Sequence, residues 1–363
     1  MATSISLASG SILNGNPIVF NVQPRRIYGT PPSFHRVILD VVCGMSGGNM
    51  ETISLSKPVL AENGASVQID VSSALRSFHD AYTYTATPTA SYPLVRFNVK
   101  AHDEYMYDGE LKTTDVLWYP AEDQYMNTLF GSFSDRERLT ASGTTLPVTR
   151  LSRKPQSLPQ LVCVGDRFVY SASYAEGQLL PKSADLVAPT PTYVDITKEG
   201  LQTVGDQQLY ALPATEAQNR ATFRFVNSFG VVESISVPQM SGKTFTHKVT
   251  DYIKTMPETF NVFSRATVRK ISDKEVWRFS TDPLNEEWLS WYLHEFLMSN
   301  HVWLLCGSLF VPCRLSIDDE YEMKNDTQEK YYAVEFTVKM DIDGSPLSAC
   351  SGCPWLCSRI CSA

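Results

Sequence analysis

Apolar and polar residues alternate along most of this chain. Val67, Ile69 and Val71 are separated by polar neighbours, as are Phe223 and Phe225, and Val334, Phe336, Val338 and Met340. A period of two buries one face of a sheet and leaves the other to water. In the first part of the chain the pattern predicts strands at 18–22, 36–42, 66–71 and 94–99. Gly47-Gly48 and Asn63-Gly64 mark turns between them. Ser72 has the chemistry of an N-cap for a short helix over 73–79. Further on, 161–164 and 167–171 flank Gly165-Asp166 and read as a tight hairpin. A second hairpin joins 222–226 to 231–237 through Asn227-Ser228-Phe229-Gly230.

The period changes once, clearly, in the last third. Leu284, Trp288, Leu289, Tyr292, Leu293, Phe296 and Leu297 fall on one face of a helix over 282–299. Asp282 is the expected cap, Pro283 suits the first turn, and Glu286 and Glu287 suit the positive end of the helix dipole. The stripe is expected to pack as core on the sheet that holds Val334, Phe336 and Val338. Strands at 245–249, 261–271, 275–280, 302–306, 309–315 and 331–340 surround it. Gly307-Ser308 turns one pair.

These elements make the chain mainly β. The expected architecture is two or three β-sandwich domains of immunoglobulin or fibronectin type, the C-terminal one carrying the packed α-helix. The expected division is an N-terminal β domain at 1–120 and a linker or crossover at 121–160, where Pro147, Pro155 and Pro159 cluster. A β-sandwich follows at 161–241, then an α+β domain at 242–344 and a Cys-rich tail at 345–363.

Composition narrows the function. Of 363 residues, 43% are hydrophobic and only 19% charged, which suits real cores and charge-poor interfaces and argues against disorder. The net charge of −8 argues against nucleic acid as the main partner, because phosphate binding needs a basic surface. The short basic stretch at 150–154 reads as a solvated linker. The N-terminus lacks the basic and apolar segments of a secretory signal. The weakly charged stretch 288–313 changes period midway and is no membrane span. Folding in a cytoplasm is the expectation.

Candidate chemistry is sparse. Ser241-Gly242-Lys243-Thr244 lacks the earlier glycine of a phosphate loop, since Val237 stands there. His102, Asp103 and Glu104, with Asp108 and Glu110 nearby, carry ligand and acid–base chemistry, but a charged solvated turn is the simpler reading. Asp318, Asp319, Glu320 and Glu322, and Asp341 with Asp343, lack calcium-loop spacing and read as solvated loops. His79-Asp80 has no nucleophile around it. Cys43, Cys163, Cys306 and Cys313 read as small buried hydrophobes. Cys350, Cys353, Cys357 and Cys361 are spaced C-x2-C-x3-C-x3-C and are the candidate metal ligands, for zinc or an iron–sulfur cluster. The usual zinc frameworks separate two cysteine pairs more widely, so an ordinary packed or disordered tail without a cofactor is the default, and truncation after Pro346 should leave the folded domains intact. Tyr105, Tyr107, Trp118 and Tyr119 are candidate aromatic contacts for a glycan or receptor.

One block invites a comparison. Phe223-Arg224-Phe225-Val226-Asn227-Ser228-Phe229-Gly230-Val231-Val232-Glu233-Ser234 resembles the strand–turn–strand pattern F-x-N-x-[FY]-G-x-x-[DE] of uncharacterised tail-associated structural proteins of phages and prophages from gut bacteria. The later helix, the strand 302–305, the strand holding Leu309-Phe310-Val311-Pro312 and the strand 334–340 are similar too. The resemblance covers the final third to half of the chain and implies a virion structural protein: a baseplate, tail-tip or fibre-attachment adaptor, oligomeric, bound to other tail or baseplate proteins and assembled in the host cytoplasm. It implies no catalytic residue. The alternatives are a carbohydrate- or receptor-binding tail protein and, behind it, a glycan-cleaving enzyme with paired loop carboxylates.

Overall fold

A computed structural model describes residues 4–9, 13–25, 34–59, 66–134, 137, 145–146, 151–171, 177–178, 182–183, 188–205, 207–255, 265–317 and 332–340. In chain order the first elements are β1 (Ser4–Ser9), β2 (Val19–Gln23), β3 (His35–Met45), β4 (Glu51–Pro58), β5 (Val67–Asp70), α1 (Ser72–Ala81) and β6 (Val95–Tyr107). There follow β7 (Glu110–Thr113), β8 (Leu117–Tyr119), β9 (Met126–Thr128), β10 (Thr145–Leu146), β11 (Gln160–Cys163), β12 (Arg167–Ser171), β13 (Gly177–Gln178) and β14 (Lys182–Ser183). Then come β15 (Pro191–Asp195), β16 (Gly200–Val204), β17 (Gln207–Leu212), β18 (Arg220–Val226), β19 (Val232–Pro238), β20 (Gly242–Thr255) and β21 (Arg265–Ser280). The last are α2 (Glu286–Trp291), β22 (Val302–Cys306), β23 (Leu309–Ser316) and β24 (Glu335–Met340). The protein is mainly β, with several antiparallel sheets.

The chain divides into two compact units. Unit one comprises Met1–Arg153, Val169–Tyr193 and Val226–Val232; unit two comprises Lys154–Phe168, Val194–Phe225 and Glu233–Ala363.

Unit one holds a three-stranded sheet, β1-β2-β5, and a seven-stranded sheet whose main order is β14-β9-β6-β3-β4, with β7 and β8 also paired to β6. The core is the alternate face of each: Phe20 and Val22 from one sheet, Val37, Leu39, Val41, Phe97 and Val99 from the other. Phe20 meets Tyr119 edge-on at 5.7 Å. The β6–β7 turn needs positive φ at both central positions, and Asp108 (φ 52) and Gly109 (φ 78) supply it. Helix α1 buries Ala74 and Leu75. Its cap differs from expectation. Ser72 is already helical, and the Asp70 carboxylate accepts the Ser72 N–H at 2.9 Å and the Ile18 N–H at 3.0 Å.

Unit two is built on a seven-stranded sheet, β19-β18-β22-β23-β24-β21-β20. The α2 stripe packs on it as expected: Trp288, Leu289, Tyr292 and Phe296 share one core with Phe223, Phe279, Val334, Phe336 and Val338. The helix starts later than predicted. Asn285 is the cap, its Oδ1 accepting from the Trp288 N–H at 3.0 Å, because the Asp282 carboxylate is held by Arg220. The last turn, Tyr292–Phe296, is π-helical, closed by the Leu297 N–H on the Tyr292 carbonyl at 2.9 Å. That wider turn keeps Tyr292 and Phe296 both buried.

Two further expectations change. Strands β11 and β12 do not form a hairpin: β11 pairs in parallel with β17, and β12 pairs with β15. The turn between them is real, but the Gly165 N–H bonds to the Ile196 carbonyl and the Ile196 N–H to the Asp166 carbonyl, which sends the two strands into different sheets. The strands expected at 261–271 and 275–280 are one, β21, paired with β20 from Gly242↔Arg278 to Thr255↔Arg265. The β22–β23 hairpin, with Gly307 at φ 64, is as read.

Candidate interaction faces

The Asn-Ser-Phe-Gly turn between β18 and β19 lies within unit one. Asn227 closes the turn on itself: its Oδ1 accepts the N–H of Phe229 at 3.0 Å and of Val231 at 3.2 Å. Its Nδ2 donates to the Leu151 carbonyl at 2.8 Å. Phe229 is buried edge-on against Phe133 at 5.7 Å, with the Arg153 guanidinium 4.5 Å from its ring centre. Arg153 in turn holds Glu137 at 2.6 Å. Burial works against the Glu137 charge, and the Arg153 and Ser134 hydrogen bonds outweigh it, so the carboxyl pKa falls below its usual value. Gly230 has φ 75, and a Cβ there would sit 2.7 Å from the Phe130 Cβ. Gly131 is equally constrained: φ is 110, and a Cβ would lie 2.5 Å from the Phe229 Cα. Tyr92 Oη accepts the Val232 N–H at 2.8 Å, and Tyr84 Oη donates to the Gly230 carbonyl at 3.3 Å. Burial raises the pKa of both phenols. In unit two, Phe225 packs edge-on to Trp291 and Phe296, and Glu233 is buried. Each defined position of the pattern is a packing position here, which a motif match alone does not disclose.

The His102–Asp103–Glu104 segment is no solvated turn. It lies inside β6, paired to β3 through His35↔Tyr105. Asp103 is fully buried; its Oδ2 accepts the Arg25 N–H at 2.5 Å and lies 3.6 Å from His35 Nε2, while its N–H donates to Thr114 Oγ1 at 2.8 Å. Strand alternation puts His102 and Glu104 on the opposite face, where Glu104 pairs with Arg36 at 2.7 Å. The three therefore do not converge. Asp108 and Glu110 stay exposed at the turn, Glu110 beside Lys112 at 2.6 Å. Among the described residues no group of three or more His, Cys, Asp or Glu could hold a metal ion.

The named aromatics separate by face. Tyr119 packs on Phe20, and Tyr105 meets His35 edge-on at 5.9 Å. Trp118 lies on the other face, 5.5 Å from the Lys100 ammonium, which is 3.8 Å from Asp40. Tyr107 is 47% exposed, and Leu111 (57%) and Val116 (47%) are exposed near the same end of the sheet. Phe34, Met106 and Leu111 lie side by side on adjacent stretches of chain there. By the β6–β7 register Leu111 shares a side of the sheet with Met106, and Tyr107 lies on the other.

Other candidates settle as structure. Ser241-Gly242-Lys243-Thr244 opens β20, as its alternation suggested. Asp80 pairs with Arg76 at 3.7 Å, and His79 stacks on Phe130 at 4.7 Å. Cys43, Cys163, Cys306 and Cys313 are buried thiols. Burial first, then Glu51, pushes the Cys43 thiol up to about 12; burial, then Asp166, pushes Cys163 up to about 11. Cys350, Cys353, Cys357 and Cys361 lie outside the described residues, as do Asp318, Asp319, Glu320, Glu322, Asp341 and Asp343.

Sequence reasoning gave no sign of several charges held inside unit two, Lys154 and Arg220 among them. Lys154 is no part of a solvated linker: only 5% exposed, it donates to Gln160 Oε1 at 2.6 Å and to Gln207 Oε1, and lies 4.9 Å from the Phe168 ring centre. Arg220 grips Asp282 with two bonds, 3.1 and 2.6 Å, and also reaches Ser236. Burial opposes the Arg220 charge, yet the Asp282 pairing wins and raises its pKa. Neither has a local sequence signal, because the partners are far apart in the chain. A further feature, the length of β20 and β21, is not legible in the sequence, whose alternation predicts a short strand at 245–249 and two separate strands at 261–271 and 275–280. Strand β24 pairs with β21 only at 276–280, so 265–275 are paired, among the described residues, with β20 alone. At 3.4 Å per residue this two-stranded ribbon runs roughly 35 Å past the sheet.

No known protein family matches the chain, and no curated protein matches it. Among the described residues no helix is long and apolar enough to cross a membrane.

Proposed function

We propose that this protein is a structural subunit of a phage tail or tail-like assembly, a baseplate, tail-tip or fibre-attachment adaptor that acts through protein–protein interfaces and has no catalytic turnover. The observation that carries it is the β20–β21 ribbon. A two-stranded arm of that length, paired beyond the sheet with no third strand among the described residues, offers a neighbour two strand edges and two faces to grasp, by strand addition or by packing. The tail-protein resemblance of the β18–β19 block points the same way, since each of its defined positions serves packing. In this reading the protein is assembled in the host cytoplasm and resides in the virion, in several symmetric copies. Deleting the ribbon, 245–273, and closing the chain with a short Gly-containing turn tests it. The shortened chain should fold, shown by an unchanged melting midpoint for the rest of the protein, and fail to enter particles. Normal incorporation of the shortened chain contradicts the reading.

A second reading, binding of a host glycan or receptor, is favoured by the exposed Tyr107 and Leu111 and by Trp118 on the same sheet. Aromatic faces with nearby charges suit sugars. A glycan array probed with wild type and with Tyr107→Ala separates the two: glycan binding lost in that variant supports the second reading, and a silent array returns the argument to protein partners.

A further inference from the structure

Strand β4 ends its sheet. Its partner among the described residues is β3, in unbroken register from Arg36↔Pro58 to Cys43↔Glu51. A long, flat outer edge with free pairing capacity invites another strand unless a bulge, an inward charge or a central proline blocks it. Here the register has no bulge, and the proline, Pro58, stands at the very end; the strand does carry two inward charges, Glu51 and Lys57, which exclude an uncharged partner strand but are of opposite sign and so can answer one another. All eight residues are exposed except Ile53 and Leu55, which are half-buried on the core-facing side opposite Val41 and Leu39.

The strand also complements itself. Turned antiparallel about a two-fold axis through Ser54, Glu51 of one copy stands opposite Lys57 of the other, and Ile53 stands opposite Leu55. All four positions share the core-facing side. Thr52 meets Ser56 on the other side, and Ser54 meets its own copy. A partner of different sequence would match both charges and both apolar positions only by chance, whereas a second copy matches them by symmetry. We infer that β4 is an isologous dimerisation edge: two copies of this chain pair through Glu51–Pro58 and join their seven-stranded sheets into one continuous sheet. The pairing covers the half-exposed Ile53 and Leu55 and sets two Glu51–Lys57 contacts per dimer, each Lys57 Nζ turning to the partner's carboxylate from the Gln68 carbonyl that it meets at 2.9 Å within its own chain.

This deepens the proposed function, since a repeated subunit needs self-contacts, but it can stand or fall separately. A β4 dimer absent from any particle would leave the edge pairing standing and overturn the structural-subunit reading. A particle subunit whose β4 touches no second copy would do the reverse.

Eight residues a side make a small interface, so association in the micromolar range is expected. Sedimentation equilibrium of the full chain, under reducing conditions and up to about 100 µM, reads it directly. Glu51→Lys alone and Lys57→Glu alone each turn both contacts into repulsions, and each should weaken self-association about tenfold. The two variants mixed should form a heterodimer, because every reversed charge then faces an opposite charge on the other chain. The doubly reversed chain should recover wild-type affinity. Both positions are exposed, and matching circular-dichroism melts confirm that the variants remain folded. A wild-type chain that stays monomeric throughout, a dimer indifferent to single reversal, or a mixture that fails to associate overturns the inference.

Discussion

Replacing Phe336 by alanine is the sharpest probe of the unit-two core. Its ring is 1% exposed. It stacks on Phe279 at 5.7 Å and 17°, and meets Phe296 at 5.6 Å and Phe223 at 6.1 Å edge-on. It therefore joins three strands to the helical layer, since Phe279 stands directly opposite it on β21 and Phe296 closes the π-helical turn. Truncation loses the transfer free energy of the ring and leaves a cavity that packed neighbours refill only in part. The cost is on the order of 3–5 kcal/mol. At about 2–4 °C per kcal/mol for a unit of this size, the unit-two melting midpoint should fall by roughly 6–20 °C. Phe336→Leu keeps most of the volume and should cost less than about 1.5 kcal/mol. Scanning calorimetry with near-ultraviolet circular dichroism measures both. An alanine variant that melts within a degree or two of wild type, or no lower than the leucine variant, refutes the packing argument.

Asn227→Ala removes the acceptor of two turn N–H groups and the donor to Leu151, and should cost about 2–4 kcal/mol in urea unfolding, where an unchanged midpoint would show the turn to be self-sufficient. Glu137 has a lowered pKa in the folded chain, so its stabilisation is present above the ordinary carboxylate value and is lost as pH falls through the lowered one. Wild type should thus exceed Glu137→Gln in stability at pH 7, the gap shrinking to nothing as the medium is acidified below 4.5; a gap that persists in acid counts against the Arg153 pairing. At pH 8 a thiol reagent followed by mass spectrometry should leave Cys43 and Cys163 unlabelled until the chain is unfolded, because burial holds both as thiols, and rapid labelling of either in the native state would refute that.

Local pattern was enough wherever local physics decides. Alternation located β5, β18 and β24, turn chemistry located Asn227–Gly230 as a loop and Gly307-Ser308, and the aromatic stripe located the helix. The failures share one cause, a distant partner. Asp282 looked like the helix cap, but Arg220 takes its carboxylate from 62 positions away, and Asn285 caps instead. Gly165-Asp166 looked like a hairpin turn, but its backbone bonds go to Ile196. Asp103 sits in a charged run that suggests solvent, yet its strand parity turns it inward, where its carboxylate accepts the Arg25 N–H. Lys154 is buried because two glutamines and a phenylalanine ring, none adjacent in sequence, surround its ammonium group. Of the candidate ligand sets, the carboxylate–histidine segment is split between two faces by the same parity, which its spacing in the sequence already implied once the strand is known to continue to Tyr107.

The central claim is that this chain is a repeated part of a tail assembly. The direct measurement is electron cryo-microscopy of native particles purified from an induced host culture, with the chain traced into the density. The account predicts the chain at fixed symmetric positions, with the β20–β21 ribbon gripped by a neighbouring subunit. A stable monomer found only outside particles, hydrolysing a glycan and inactivated by changing one carboxylate such as Asp319, would contradict it.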